Sequence, residues 1–294
     1  MTVRSAARHP APEPVATAAP LRNDTPMTRL FGCICNQPQR LDEALESVRT
    51  VLVAQAPVAR WGLGYVHSGE VLLTLHPRQA TSEVDFYALL AGLNSDYMIG
   101  WAGAEDALRG DANTQPFRYR RWFFAQENAS AASGAGGPTA EVVSQLMQHV
   151  PDYLRRNIRG RSPAEHVFHL FLSMLHDAGT LDDPNLAPTH IRRGLRDTIA
   201  LVDAVAGKAG SSWQHGNIVI SNSRSMMAVR LGEPLQVRRL KQQKDPRRPE
   251  SQFKAVLVVS SPDLRGEGGF EELPPRSAVA ISRDVTTDVV ELDA

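Results

Sequence analysis

Several groups of side chains in this sequence have the types and spacing that chemistry requires. Cys33 and Cys35 alternate, so both thiols fall on one face of any strand that carries them. A redox pair or a metal site needs further partners, and with 2 cysteines in the whole chain the expected role is core packing. Glu165, His166, His169 and His176 share one helical stretch, with His166 and His169 three apart and Glu165 four before His169. That spacing could bring imidazoles and a carboxylate together around a metal. The stretch is otherwise strongly apolar, so the expectation is partly exposed histidines and no metal. Arg238, Arg239, Lys241, Lys244, Arg247 and Arg248 form a basic run with Asp245 as its one acid. Without interleaved aromatics, this run reads as a solvated surface loop and not as a phosphate or nucleic-acid patch. Arg155, Arg156, Arg159 and Arg161 cluster where a helix end is expected, and cations there favour the helix dipole.

The elements that must position these groups are mixed. With 32 basic and 32 acidic residues the chain has no net charge, which argues against a nucleic-acid partner held by a global positive field. No apolar run reaches the roughly 18 residues that a membrane helix needs. Two cysteines fit a reducing compartment, and the expected location is cytoplasmic. Residues 1–26 carry Pro10, Pro12, Pro14, Pro20 and Pro26 with few large apolar side chains, and read as a disordered leader. Beyond it, alternation predicts strands over 29–36, 97–103 and 119–126, and a hairpin of 61–67 with 71–76 around Ser68-Gly69. Helical spacing is predicted over 40–55, 84–93, 139–158, 163–178 and 188–207. Further strands are predicted over 217–221, 225–230, 253–260 and 278–282, with low-complexity sequence over 129–138. Strands, then helices, then strands again suit a layered α+β domain whose sheets draw on both ends of the chain.

A set of collinear motifs runs through these elements. Met27-Thr28-Arg29-Leu30-Phe31-Gly32, Trp61-Gly62-Leu63-Gly64-Tyr65, Asn113-Thr114-Gln115-Pro116-Phe117 and Trp122-Phe123-Phe124-Ala125-Gln126-Glu127-Asn128 follow one another. After them come Gly160-Arg161-Ser162-Pro163-Ala164-Glu165, the hairpin of residues 217–230, and Val258-Val259-Ser260-Ser261-Pro262. In this order they resemble the landmarks of class II glutamine amidotransferases: the Met-Cys-Arg-Leu start, "GWGxGYY", "NTHPF", "WxFAHNG", "GxTDSE", "NLLLTDGxxLYATR" and "VASEP". The resemblance spans residues 27–294. It implies an N-terminal-nucleophile hydrolase fold, a four-layer α/β/β/α sandwich of two antiparallel sheets.

The resemblance also implies site positions, and each departs from the family. The nucleophile falls on Thr28 where the family has cysteine, and a hydroxyl is less ionised than a thiol. The oxyanion motif falls on Gln126, Glu127 and Asn128 in place of His-Asn-Gly, and losing one donor there costs roughly 2.7–4 kcal/mol. The arginine of "HxRxAT", which binds the substrate carboxylate, has no counterpart in residues 98–103, where Ala102 stands. The aspartate that binds its ammonium falls on Pro163. Neither metal nor cofactor is implied. Glu127 is expected to pair with Arg121 on the same strand face and to plug the oxyanion site, repelling an anionic intermediate.

Two readings of function follow. The first is a class II amidotransferase-like pseudoenzyme acting as a binding, regulatory or assembly component, its partner a protein or a small amide-like ligand. The second is a threonine-nucleophile amidohydrolase or amidotransferase, using Thr28 on a substrate other than free glutamine. A module holding an acidic partner or nucleic acid through residues 238–248 ranks behind both.

Overall fold

The computed structural model describes residues 29–46, 48–49, 52–54, 58–103, 108–127, 138–211, 213–242, 252–261, 264 and 268–293. The leader expected at 1–26, Thr28, Asn128 and most of the low-complexity stretch lie outside these residues. Among the described residues, one seven-stranded sheet runs in the order β13 (Phe270–Glu272), β11 (Leu235–Lys241), β12 (Lys254–Ser260), β1 (Arg29–Cys35), β6 (Tyr97–Gly103), β3 (Arg60–His67) and β4 (Glu70–His76). A second, six-stranded, runs β15 (Thr287–Glu291), β14 (Ser277–Ile281), β10 (Met226–Arg230), β9 (Ile218–Ser221), β8 (Trp122–Gln126) and β7 (Phe117–Tyr119). Every neighbouring pair is antiparallel.

Strand alternation sorts the side chains into three apolar layers. Along β1, Leu30 and Ile34 enter the core between the sheets, with Val66, Ile99, Trp101, Phe123, Val219, Val258 and Val279. Phe31, Cys33 and Cys35 face the other way, onto α1 (Leu41–Glu46) and α2 (Phe86–Leu90). The outer face of the second sheet packs on α3 (Ala140–Met147), α4 (Asp152–Arg155), α5 (Pro163–Asp177) and α6 (Pro188–Lys208). Phe124 stacks on Phe168 at 5.2 Å, and Trp122 meets Phe171 edge-on at 5.4 Å. Such fully buried side chains contribute about 1.5–3 kcal/mol each. The result is helix, sheet, sheet, helix, the four-layer α+β sandwich.

Several sequence expectations are corrected. The helix expected over 40–55 is a 3-10 turn (Pro38–Arg40) and then α1, which ends at Glu46. Val48 and Leu52 are still buried, but from beyond the helix, and the chain enters β2 (Val53–Ala54). β2 pairs with β5 (Val84–Asp85), which begins the stretch expected to be helical over 84–93. Asp85 then caps α2, accepting from the Ala88 N–H at 3.0 Å. The helix expected over 139–158 is interrupted at Pro151, which precedes α4. Residues 117–126 form a hairpin, with Arg120 at φ 53° in its turn. β11, β13 and β15 are strands that the sequence expectations do not include. His166 and His169 are buried, at 8% and 3% exposure, where partial exposure was expected. No described helix is long and apolar enough to cross a membrane.

Candidate functional site

The sequence-predicted positions converge on one end of the sandwich. There β1 begins and β6 ends, with Arg29 opposite Ala102, and β3 begins with Arg60 opposite Gly103. β12 ends at Ser260, β8 at Gln126, and β9 begins just after Asn217. Thr28 would precede β1 but, like Asn128, lies outside the described residues.

Gln126 is held by its backbone. The side-chain amide of Gln115 donates to the Gln126 carbonyl at 2.9 Å and accepts the Gln126 N–H at 2.7 Å. Phe117 pairs with Phe124 two residues away, so the amide extends the β7–β8 ladder by side chain. Gly62 makes room for this loop: a Cβ there would sit 2.2 Å from the Gln115 carbonyl oxygen.

Glu127 follows, 6% exposed, its N–H donating to the Asn217 carbonyl at 2.8 Å. Gly216 packs against it so closely that a Cβ would lie 2.2 Å from the Glu127 carbonyl oxygen. Burial pushes the Glu127 carboxyl up to about 8, with the Glu233 carboxylate adding to the rise; hydrogen bonds from Ser260 and Asn217 oppose it. Its Oε2 has no hydrogen-bond partner among the described residues. Asn217 anchors this corner. Its Oδ1 accepts from Leu231 N at 2.9 Å and Gly232 N at 3.0 Å. Its Nδ2 donates to the Glu233 carbonyl at 2.9 Å and to Ser260 Oγ at 3.0 Å.

Two expectations about Glu127 are overturned. Arg121 does not pair with it: six residues of extended strand separate them by about 20 Å, and Arg121 lines a cavity at the opposite end of the sandwich. Nor does Glu127 present a fixed negative charge. With its pKa at about 8, it is protonated by about ten to one at pH 7. A neutral carboxyl fills space and can donate a hydrogen bond, and like-charge repulsion of an anion does not apply to it.

Ala102 faces away from this corner, into the layer of Phe31 and Cys33. One buried cation at this end is Arg60 on the neighbouring strand, which sequence reasoning missed. It is 4% exposed, donates from Nη1 to the Asn113 carbonyl, and lies with its guanidinium carbon 5.5 Å from the centre of the Trp101 ring. Trp101 Nε1 is itself buried without a hydrogen-bond partner among the described residues. The available signal was parity: Arg60 shares the strand face of Gly62 and Gly64, over which the Gln115-Pro116 loop packs.

Pro163 opens α5 at a position suited to proline, since the first helical N–H needs no partner. The approach to it is tied down by neighbours. Arg161 N donates to Asn113 Oδ1 at 2.7 Å, and the buried Glu165 accepts from Arg159 N at 2.9 Å and Gly160 N at 2.8 Å. Burial raises the Glu165 pKa against these bonds. His169 Nδ1 lies 2.9 Å from the Glu165 carbonyl, a contact within the helix. Burial lowers the pKa of both His166 and His169. Among the described residues no cluster of three or more His, Cys, Asp or Glu could hold a metal.

No protein-family model matches the chain, and no curated protein matches its sequence. Solved structures do. A "glutamine aminotransferase class-II domain protein" from Silicibacter pomeroyi superposes with a TM-score of 0.57 at 16% identity, over 90% of this chain and 98% of that one. The fold is that of class II glutamine amidotransferases. A structure from Pseudomonas aeruginosa, described as a "predicted glutamine amidotransferase", superposes at a TM-score of 0.45 and 12% identity, over 89% of this chain and 99% of that one.

Proposed function

We propose that residues 27–294 form one class II glutamine amidotransferase-like domain that does not hydrolyse glutamine and acts as a binding, regulatory or assembly component. The observation that carries this reading is the pair of substrate-holding positions. Ala102 has no polar side-chain atom and is turned into an apolar layer, and Pro163 cannot bind an ammonium. Glutamine would therefore find neither end of its α-amino acid group matched by the residues the family uses. Thr28 in place of the cysteine, and Glu127 in place of an amide donor, point the same way.

The second reading, a hydrolase using Thr28 on another amide, is favoured by one observation. A protonated Glu127 carboxyl is a hydrogen-bond donor, and a neutral acid held in an apolar site can serve an oxyanion. The two readings part at the mature N-terminus, since only a chain beginning at Thr28 has the free amine the hydrolase needs. The pseudoenzyme should release no ammonia from L-glutamine above a buffer control and should resist a glutamine-mimicking electrophile. Stoichiometric labelling of Thr28, on a chain whose mass shows Thr28 as its first residue, sinks the pseudoenzyme reading.

A further inference from the structure

At the end of the sandwich away from Glu127, a cavity of about 530 Å³ opens between the two sheets. Its walls are turns from both sheets. Ser68-Gly69 joins β3 to β4, Asn94 to Asp96 lead into β6, Asn222 to Arg224 join β9 to β10, and Arg121 and Arg283 come from the turns beside β8 and β14. Three arginines thus line the mouth with one acidic residue, Asp96.

The backbone that carries these arginines is fixed from inside. Tyr97 Oη donates to the Arg224 carbonyl at 2.7 Å, and Ser223 Oγ donates to the Arg121 carbonyl at 2.9 Å, tying two of the turns together and one of them to the core. Asn222 Oδ1 accepts from Arg224 N at 3.0 Å and Ser225 N at 2.9 Å. Ser95 Oγ accepts from Val66 N at 3.1 Å, fixing the facing wall. The charged heads are not matched in the same way. Among the described residues none of Arg121, Arg224 and Arg283 makes a salt bridge, and Arg224 Nη1 reaches only the neutral Asn185 Oδ1 at 3.2 Å. Neighbouring Arg118 and Arg120 are engaged, by the Val71 carbonyl and by Asp182. Asp96, half-buried and attracted by Arg283, offsets one charge of the three.

We propose that this cavity is a binding site for a small phosphate-bearing molecule, held by Arg121, Arg224 and Arg283. Its volume falls within the range of small-molecule sites, and planar guanidinium forks match phosphate oxygens two at a time. The arginines converge on a pocket and do not run as a stripe, which favours a compact anion over a nucleic-acid backbone. The proposal is independent of whether any catalysis occurs at the other end.

Pyrophosphate is a suitable probe, titrated calorimetrically into the full chain at about 50 mM salt. Saturable one-to-one binding is expected, weakened at least 10-fold in Arg121→Gln/Arg283→Gln. A control of equal charge change elsewhere, Arg193→Gln/Arg276→Gln, should bind within twofold of wild type. Arg224→Gln, on an exposed turn, provides a second variant should the double one fold poorly, and a loss of threefold or more is expected. Undiminished binding in the cavity variants overturns the site. Equal weakening in the control shows a diffuse charge effect and overturns it as well. Citrate binding as tightly as pyrophosphate would refute the phosphate assignment, and a single-stranded oligonucleotide outcompeting pyrophosphate would refute the small-molecule one.

Discussion

Glu127→Gln should make the protein more stable, and increasingly so as pH rises. The folded carboxyl keeps its proton to about 8, while the ordinary value, expected in the unfolded chain, is 4.5. Between those values the native state binds more protons than the unfolded state, so unfolding free energy falls as pH increases. This contribution is fully present below 4.5 and is lost as pH passes through 8. At 1.36 kcal/mol per tenfold change in proton affinity, the total is about 5 kcal/mol, of which about 4 kcal/mol is lost between pH 5 and pH 9. Glutamine copies the shape of the protonated acid and cannot ionise. Urea unfolding of both proteins at pH 5, 7 and 9 isolates the effect, because every other titrating group is shared. The variant should be within about 1 kcal/mol of wild type at pH 5 and ahead by about 3 kcal/mol at pH 7. If the two curves stay parallel from pH 5 to pH 9, the carboxyl is not held neutral and the account of this corner is wrong.

Asn217→Ala should be among the most damaging substitutions. It orphans the N–H groups of Leu231 and Gly232 and removes the donor to Glu233 and Ser260, at a cost of about 3–5 kcal/mol measurable by urea unfolding. Gly62→Ala forces a Cβ against the Gln115 carbonyl and should cost about 1–3 kcal/mol or more, read as a fall in the thermal midpoint. Cys33 and Cys35 should resist iodoacetamide at pH 8 in the native protein. Burial pushes Cys35 up to about 12 and Cys33 well above its ordinary 9.0, so labelling that outpaces unfolding contradicts their placement.

The frame was legible where burial is one-sided and alternation strict. β1 shows this: Leu30 and Ile34 on one face, Cys33 and Cys35 on the other, each pair in the core expected of its parity. β15 was invisible for the converse reason. It is an edge strand whose residues are partly or fully exposed, so no apolar rhythm marks it. β11 changes character halfway, with Leu235 and Val237 buried and then Arg238 and Arg239 toward solvent, where Arg239 meets Glu271 and Arg238 lies over Phe270. The basic run that begins there reads as loop in the sequence because its charges mask a strand register. At the candidate site, residue types were legible and partners were not. Glu127 and Arg121 share a strand face, yet parity says nothing of distance along the strand, and they serve opposite ends of the sandwich. Arg60 is not legible because its burial depends on a loop about fifty residues away, whose Asn113 carbonyl it meets.

Buried polar residues at the Glu127 end divide into two kinds, and the division bears on function. Gln115 and Asn217 replace backbone partners: one extends a ladder, the other satisfies two turn amides. Glu165 does the same for Arg159 and Gly160. A chain with this fold needs such groups whatever it does, so their presence says nothing about a ligand. Trp101 Nε1 and Glu127 Oε2 satisfy no backbone group and are themselves unsatisfied among the described residues. Each such atom costs about 1–3 kcal/mol. An apolar residue of similar shape would avoid that cost. Stability alone therefore accounts for Asn217 and Gln115 but not for these two atoms.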